Sequence, residues 1–201
     1  MRKKIKVTIL ISGNGSNMLA LINDMMEKDH PAEPILVISD RPDAKGLKLA
    51  KSKSIKTEIV NYKKYSCRQE FEETLKKSIS SSGAEIICLA GFMRILSPSF
   101  VNTFKNHILN IHPSILPLFK GLNSHAKALS SGMAVHGATV HLVSEELDDG
   151  KILGQGIIKI FKGDTETILA KRLLKLEHKL YPLVLRKFLE RVSEKIVLFD
   201  A

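Results

Sequence analysis

The pattern that most restricts the fold of this chain is its opening. A β-branched apolar run from Ile5 to Ser12 empties through Gly13-Asn14-Gly15-Ser16-Asn17 into the helical spacing of Met18, Leu19, Leu21, Ile22, Met25 and Met26. A strand, a tight glycine turn and a helix in that order start a β-α-β unit, whose strands pair in parallel. The alternation continues with strand-like Ile35 to Ser39, helix-like Ala44 to Lys53, strand-like Thr57 to Val60 and a helix over Ser66 to Ser80 with Phe71, Leu75 and Ile79 on one face. Ile86 to Ala90 is apolar throughout, as a strand covered on both faces is. Ser97-Pro98 opens a short helix, Ile108 to His112 reads as a strand, and Gly121 to Ser131 reads as a helix ending at Gly132. Gly137 to Ser144 and Ile152 to Phe161 flank the acidic turn Glu145 to Gly150, which predicts an antiparallel pair. Asp164-Thr165-Glu166 opens a long helix to about Leu180, and Pro182 marks a break before the periodic stretch Leu183 to Val192. The expected fold is α/β: one domain over residues 1–201 with an open, mostly parallel twisted sheet, Rossmann-like, helices on both faces and an antiparallel strand in the C-terminal half.

The glycine turn also suggests chemistry. Gly13 and Gly15 permit a sharp turn, Ser16 and Asn17 are good helix caps, and the free N–H groups of a helix start face whatever occupies the loop. Such a loop suits a phosphate, although a plain capped turn has the same composition. A dinucleotide fingerprint needs a third glycine where Met18 stands, so a nicotinamide enzyme with Asp40 as its ribose acid is a weak rival, and no Walker A loop is present.

The second candidate is Leu109 to Pro117. Asn110 and His112 are two residues apart in an extended chain and point to the same side, before Pro113 turns the chain out of the sheet. An amide steadies an oxyanion and an imidazole exchanges protons near neutral pH, a pairing that suits acyl or formyl transfer. The carboxylates of the acidic turn are either ordinary turn chemistry, the commoner case, or include one that orients His112. Arg94 sits in Phe92 to Leu96 at the carboxyl end of a strand, where ligands bind in open α/β sheets; otherwise it is a solvated surface charge.

Composition narrows the classes. Lys and Arg number 31 against 21 for Asp and Glu, a net charge of +10, so the surface attracts anions. The absence of Trp and the 5% aromatic content leave little stacking platform for nucleic acid. The longest apolar run, Ile86 to Met93, is too short to span a membrane. Met1-Arg2-Lys3-Lys4 has the charge of a signal start, but Lys6 and Thr8 interrupt the apolar stretch behind it, so a cytoplasmic protein is expected. Cys67 and Cys88 read as inert packing residues, and no zinc-binding spacing occurs among the seven histidines.

In order, Gly13-Asn14-Gly15-Ser16-Asn17, Ala90-Gly91-Phe92-Met93-Arg94-Ile95-Leu96, Asn110-Ile111-His112-Pro113-Ser114, His136-Gly137-Ala138-Thr139-Val140-His141 and Glu146-Leu147-Asp148 resemble the phosphoribosylglycinamide formyltransferase family over nearly the whole chain. The resemblance implies formyl transfer from 10-formyltetrahydrofolate to the amine of phosphoribosylglycinamide in purine synthesis, with the folate as co-substrate and no metal. It further implies that Gly15, Ser16 and Asn17 hold the ribonucleotide phosphate and Glu177 the glycinamide. Arg68, Met93, Arg94, Ile95, Leu96 and Asn110 are implied folate contacts, and Asn110, His112 and Asp148 the catalytic trio. The N-terminal half would then be phosphate-binding and the C-terminal half catalytic and folate-binding, with small-molecule partners and a monomeric or homodimeric state.

The chain departs from the family pattern at Asp149, where glycine is usual, at Lys120, where proline is frequent, and at Asn123, where histidine is frequent. A formyltetrahydrofolate deformylase shares the trio but usually carries an extra N-terminal domain, whereas the catalytic pattern here begins at residue 5. A methionyl-tRNA formyltransferase needs a second domain after residue 190. A non-enzymatic anion-binding module would explain the glycine loop and leave Asn110, His112 and Asp148 without a purpose.

Overall fold

The computed structural model describes residues 3–200. Met1 and Arg2 of the signal-like start lie outside the described residues, as does Ala201. Two compact units divide the chain, residues 1–109 and 110–201.

The first unit contains β1 (Ile5–Ile11), α1 (Ser16–Met25), β2 (Ala32–Ser39), α2 (Lys45–Ser52), β3 (Lys56–Ile59), α3 (Arg68–Ser82), β4 (Ile86–Leu89) and the short α4 (Pro98–Thr103). Its strands are ordered β3-β2-β1-β4, and β1 pairs in parallel with both β2 and β4. Strand β2 begins three residues earlier than its hydropathy predicts and passes through Pro34. Val7 pairs with Pro34 and Thr8 with Leu36, so the register steps past Ile35 beside a residue that has no N–H to donate. Val7, Ile9, Leu10 and Ile11 of β1 are fully buried, and Met18, Leu21 and Ile22 of α1 are buried with them. Each such side chain contributes about 1.5–3 kcal/mol by leaving water. That burial sets the direction in which β1 delivers its C-terminal loop.

Strand β5 (Ile108–His112) starts in the first unit and enters the second, which continues with α5 (Ser124–Ser130), β6 (Val135–Leu142), β7 (Ile152–Lys159), α6 (Glu166–Leu189) and β8 (Ile196–Asp200). Strands β6 and β7 form the antiparallel pair that the acidic turn implies, and β8 adds to β7 in parallel. In the first unit the pairings of β1 with β2 and β4 and of β2 with β3 are all parallel, as expected of an α/β fold.

Three further elements differ from the sequence reading. Helix α6 runs unbroken through Pro182. A proline inside a helix costs about 3 kcal/mol, but Leu180, Tyr181, Val184 and Leu185 around it are all buried and hold the helix to its face. Helix α5 starts at Ser124 rather than Gly121, because Gly121 (φ 74°) and Asn123 (φ 60°) are left-handed and outside helical geometry. The stretch Ile196–Asp200, beyond the last periodic stretch of the sequence, is a strand. Among the described residues no helix is long and apolar enough to cross a membrane.

Candidate functional site

In the first unit the glycine loop is shaped by two close contacts. Gly15 has φ 75°, and a Cβ built on it would stand 2.7 Å from Cα of Gly46 at the start of α2. No other residue fits there without displacing α2. The contact is fastened by Gly46 N–H donating to the Gly13 carbonyl at 3.0 Å. Gly15 occupies the N-cap position of α1 and contributes no side-chain cap, while Ser16 and Asn17 are the first helical residues. This corrects the expectation that Ser16 and Asn17 cap the helix. The first turn therefore opens onto the loop with backbone donors and the positive end of a ten-residue helix, an arrangement suited to an anion.

The run 92–96 follows β4 without regular secondary structure. Ser12 anchors it, since its N–H donates to the Gly91 carbonyl at 3.1 Å and its hydroxyl accepts from Met93 N–H at 2.8 Å. Phe92 and Leu96 turn inward, whereas Met93 and Ile95 are 66% and 65% exposed. Two large apolar side chains held open on an anchored segment form a ready surface for a flat apolar ligand. Arg94 is not a free surface charge: its Nε meets Asp40 Oδ2 at 2.6 Å, and its guanidinium lies 4.0 Å from the centre of the Tyr62 ring. Asp40 is fully buried and committed to that arginine, which removes the ribose role a nicotinamide enzyme would give it. Arg68, the first residue of α3, pairs through Nε with Glu72 Oε1 at 2.9 Å. Arg68 and the 93–96 run thus belong to the first unit, together with the glycine loop.

In the second unit, β5 presents Asn110 and His112 from alternate positions, as the spacing predicts. His112 Nδ1 lies 3.3 Å from Asp148 Oδ2, and its Nε2 lies 3.0 Å from the Phe119 carbonyl. Both ring nitrogens face acceptors, so only the doubly protonated ring donates to both. Asp148 has a left-handed backbone (φ 51°), and its Oδ2 also accepts the Gly121 N–H at 2.9 Å. The segment 119–121 therefore touches both His112 and Asp148.

Asn110 does not meet His112 or Asp148 directly. Its Nδ2 donates to His141 Nε2 at 3.2 Å, and that Nε2 stands 3.8 Å from Asp148 Oδ1, too far for a hydrogen bond. His141 is a member of the cluster that sequence reasoning does not single out. Burial pushes its pKa down, against smaller opposing effects from the Leu142 carbonyl and Asp148. A neutral ring donating from Nδ1 to the Leu142 carbonyl at 2.9 Å leaves Nε2 as an acceptor, and this fixes the orientation of the Asn110 amide. One Nδ2 hydrogen is used by His141 and the second remains for a ligand.

Behind this cluster His125 Nδ1 contacts His136 Nε2 at 3.0 Å. The pKa of His136 is pushed down to about 4, first by burial and then by the neighbouring His125 and His112. Buried Thr139 secures the turn after β5, accepting from Leu116 N–H at 3.0 Å and donating to the Ser114 carbonyl at 2.7 Å. Glu177 is a buried carboxylate on α6, on a different element from the cluster. Among the described residues no group of histidine, cysteine and carboxylate side chains is arranged to hold a metal ion.

A formyl transferase family model matches residues 5–185. The trifunctional purine biosynthetic protein adenosine-3 of Gallus gallus is 43% identical over 183 residues, 91% of this chain, and this chain spans only 18% of that protein's length. The phosphoribosylglycinamide formyltransferase of Escherichia coli is 38% identical over 184 residues, covering 92% of this chain and 87% of that one. The crystal structure of the phosphoribosylglycinamide formyltransferase from Brucella melitensis superposes with a TM-score of 0.90 at 44% identity, covering 96% of this chain and all of that one.

Proposed function

This chain belongs to the formyl transferase family, and we propose that it transfers the formyl group of 10-formyltetrahydrofolate to the amine of phosphoribosylglycinamide in purine synthesis. The observation that carries the proposal is the linked cluster of Asn110, His141, Asp148 and His112 in a chain so similar to enzymes bearing that name. The whole chain acts as one formyltransferase domain on small-molecule substrates, in the cytoplasm, as a monomer or homodimer.

In this reading the ribonucleotide phosphate is held by Gly15, Ser16 and Asn17, and Glu177 receives the glycinamide. Arg68, Met93, Arg94, Ile95, Leu96 and Asn110 receive the folate. The amine nitrogen attacks the formyl carbon and forms a C–N bond, the carbonyl electron pair moves to oxygen, and a tetrahedral intermediate results. The second Nδ2 hydrogen of Asn110 and a protonated His112 stabilise that oxygen, each contributing about 3 kcal/mol. Asp148 orients the imidazole through its contact with Nδ1. For Nε2 of His112 to reach the oxygen, it must first leave the Phe119 carbonyl that it now contacts. Collapse of the intermediate breaks the bond to N10 of the folate, and the proton lost by the amine reaches N10 through water.

The test is the absorbance change on folate product release, with and without phosphoribosylglycinamide. Release that depends on the ribonucleotide supports the proposal. Release at the same rate without it means that water is the acceptor and the enzyme is a deformylase.

A further inference from the structure

We infer that Glu72 is a positioning residue for the folate side of the site, fixing from one buried carboxylate both the Arg68 guanidinium and the cap residue that ends the 93–96 run. The inference rests on the folate assignment of Arg68 and residues 93–96 in the proposed function. Glu72 lies one helical turn after Arg68 on α3, and its side chain is only 5% exposed against 44% for Arg68. Its Oε1 accepts from Arg68 Nε at 2.9 Å and from Ser97 N–H at 2.8 Å, and its Oε2 accepts from the Ser97 hydroxyl. That hydroxyl in turn accepts the Phe100 N–H at 3.1 Å and so caps α4.

An exposed i,i+4 arginine–glutamate pair leaves both side chains free to rotate and contributes little order. Here one partner is immobile, because three donors converge on it: the Arg68 Nε–H, the Ser97 N–H and the Ser97 O–H. A carboxylate is acceptor-only and satisfies all three with a full charge, whereas an amide keeps one neutral oxygen for the two N–H donors and turns its NH2 on the Ser97 hydroxyl, which must then give up its own donation. With Nε drawn inward, the Nη1/Nη2 edge of Arg68 remains, and that fork matches a carboxylate in two parallel hydrogen bonds. The glutamyl tail of a folate is the part of the co-substrate that supplies such carboxylates. Glu72 therefore aims the fork before the tail arrives, which removes an ordering cost from binding. Because Ser97 directly follows Leu96, the same side chain ties that aim to the segment carrying Met93 and Ile95.

The experiment is steady-state kinetics of the full chain with both substrates varied. Glu72→Gln is expected to raise the KM for 10-formyltetrahydrofolate about tenfold, leaving kcat and the ribonucleotide KM within about twofold, because a fork held by a neutral amide in place of a carboxylate is less firmly aimed and binding of one substrate only is weakened. Ser97→Ala breaks the cap but leaves the Arg68 contact, so it should lower Tm with a folate KM much closer to wild type. On an Arg68→Met background, Glu72→Gln should add less than about a further twofold, since the fork it aims is gone. A Glu72→Gln effect that falls equally on both substrates, or persists undiminished in the Arg68→Met background, overturns the inference. Should Glu72→Gln not fold, Arg68→Lys at the exposed position decides: a single ammonium cannot serve Glu72 and the tail in fork geometry, so its folate KM should match that of Arg68→Met. A near wild-type KM for Arg68→Lys overturns the inference. A wild-type enzyme that uses no 10-formyltetrahydrofolate overturns the functional reading, and the inference with it.

Discussion

The glycine loop of the first unit and the histidine cluster of the second are built on opposite plans. The loop is made by five consecutive residues, and its geometry comes from backbone: a left-handed Gly15, a helix start without a side-chain cap and a contact with Gly46 that leaves no room for a Cβ. The cluster is made by side chains from β5, β6 and the acidic turn, and its geometry comes from which nitrogen faces which oxygen. A backbone site tolerates changes of side chain but not of conformation. A side-chain site behaves in the reverse way.

That contrast orders the expected effects. The largest belongs to the cluster: His112→Ala and Asn110→Ala should each lower kcat by two or more orders of magnitude, as loss of an oxyanion donor does. The circular dichroism spectrum should be retained, because neither side chain fills the core around Ile111 and Leu109. Near-normal turnover in both variants would remove the catalytic assignment.

Gly15→Ala tests the other plan. The added Cβ meets backbone at 2.7 Å and the residue must hold φ 75°, so α2 has to shift. A loss of stability on the order of 3 kcal/mol is expected, with weaker ribonucleotide binding in calorimetry and little change in folate binding. Ser16→Ala, by contrast, removes no cap and should leave Tm nearly unchanged. A Gly15→Ala protein with wild-type Tm would show that the loop is not held by backbone at all.

The same contrast explains what the sequence discloses. The loop and the Asn110/His112 pair are local, so spacing alone places them on a turn and on one side of a strand. His141 is thirty-one positions from Asn110, as their hydrogen bond requires, and only the register of β6 brings it there. The convergence of Glu72 on Arg68 and Ser97 depends in the same way on how α3 packs against the segment after β4. Helix ends depart from the hydropathy pattern where backbone conformation or packing rules over it: Gly121 gives its N–H to Asp148 instead of to a helix, and buried neighbours carry α6 through Pro182.

The histidine pair behind the cluster gives a smaller, pH-dependent effect. His136 titrates at about 4 in the fold against an ordinary value of 6.5. The folded state thus disfavours its charged form, so stability is full above about pH 6.5 and is lost progressively as the pH falls towards 4. Across that window the loss should be up to about 3 kcal/mol, and His136→Gln should reduce it in urea melts recorded at several pH values. A wild-type stability that is constant between these pH values would show that the pair does not titrate as its burial requires.

The smallest effect concerns Lys120 and Asp149, two positions where the chain departs from its family's pattern. In the fold these two residues form an ion pair with each other. Each adjoins a residue of the cluster's surroundings: Lys120 lies between Phe119, whose carbonyl contacts His112, and Gly121, whose N–H reaches Asp148, while Asp149 directly follows Asp148. The pair therefore closes a small ring that fastens the 119–121 segment to the acidic turn. Both side chains are exposed, so solvent screens them and a coupling of only about 0.2–1 kcal/mol is expected. A double-mutant cycle of Lys120→Met and Asp149→Asn, read as unfolding free energy, measures it, and the coupling should shrink in about 1 M salt. If the segment must release His112 before reaction, loosening it should leave kcat at or slightly above wild type while hydrogen exchange at Gly121 N–H speeds up. Zero coupling at low salt, together with unchanged exchange at Gly121, would mean that the two departures are independent of one another.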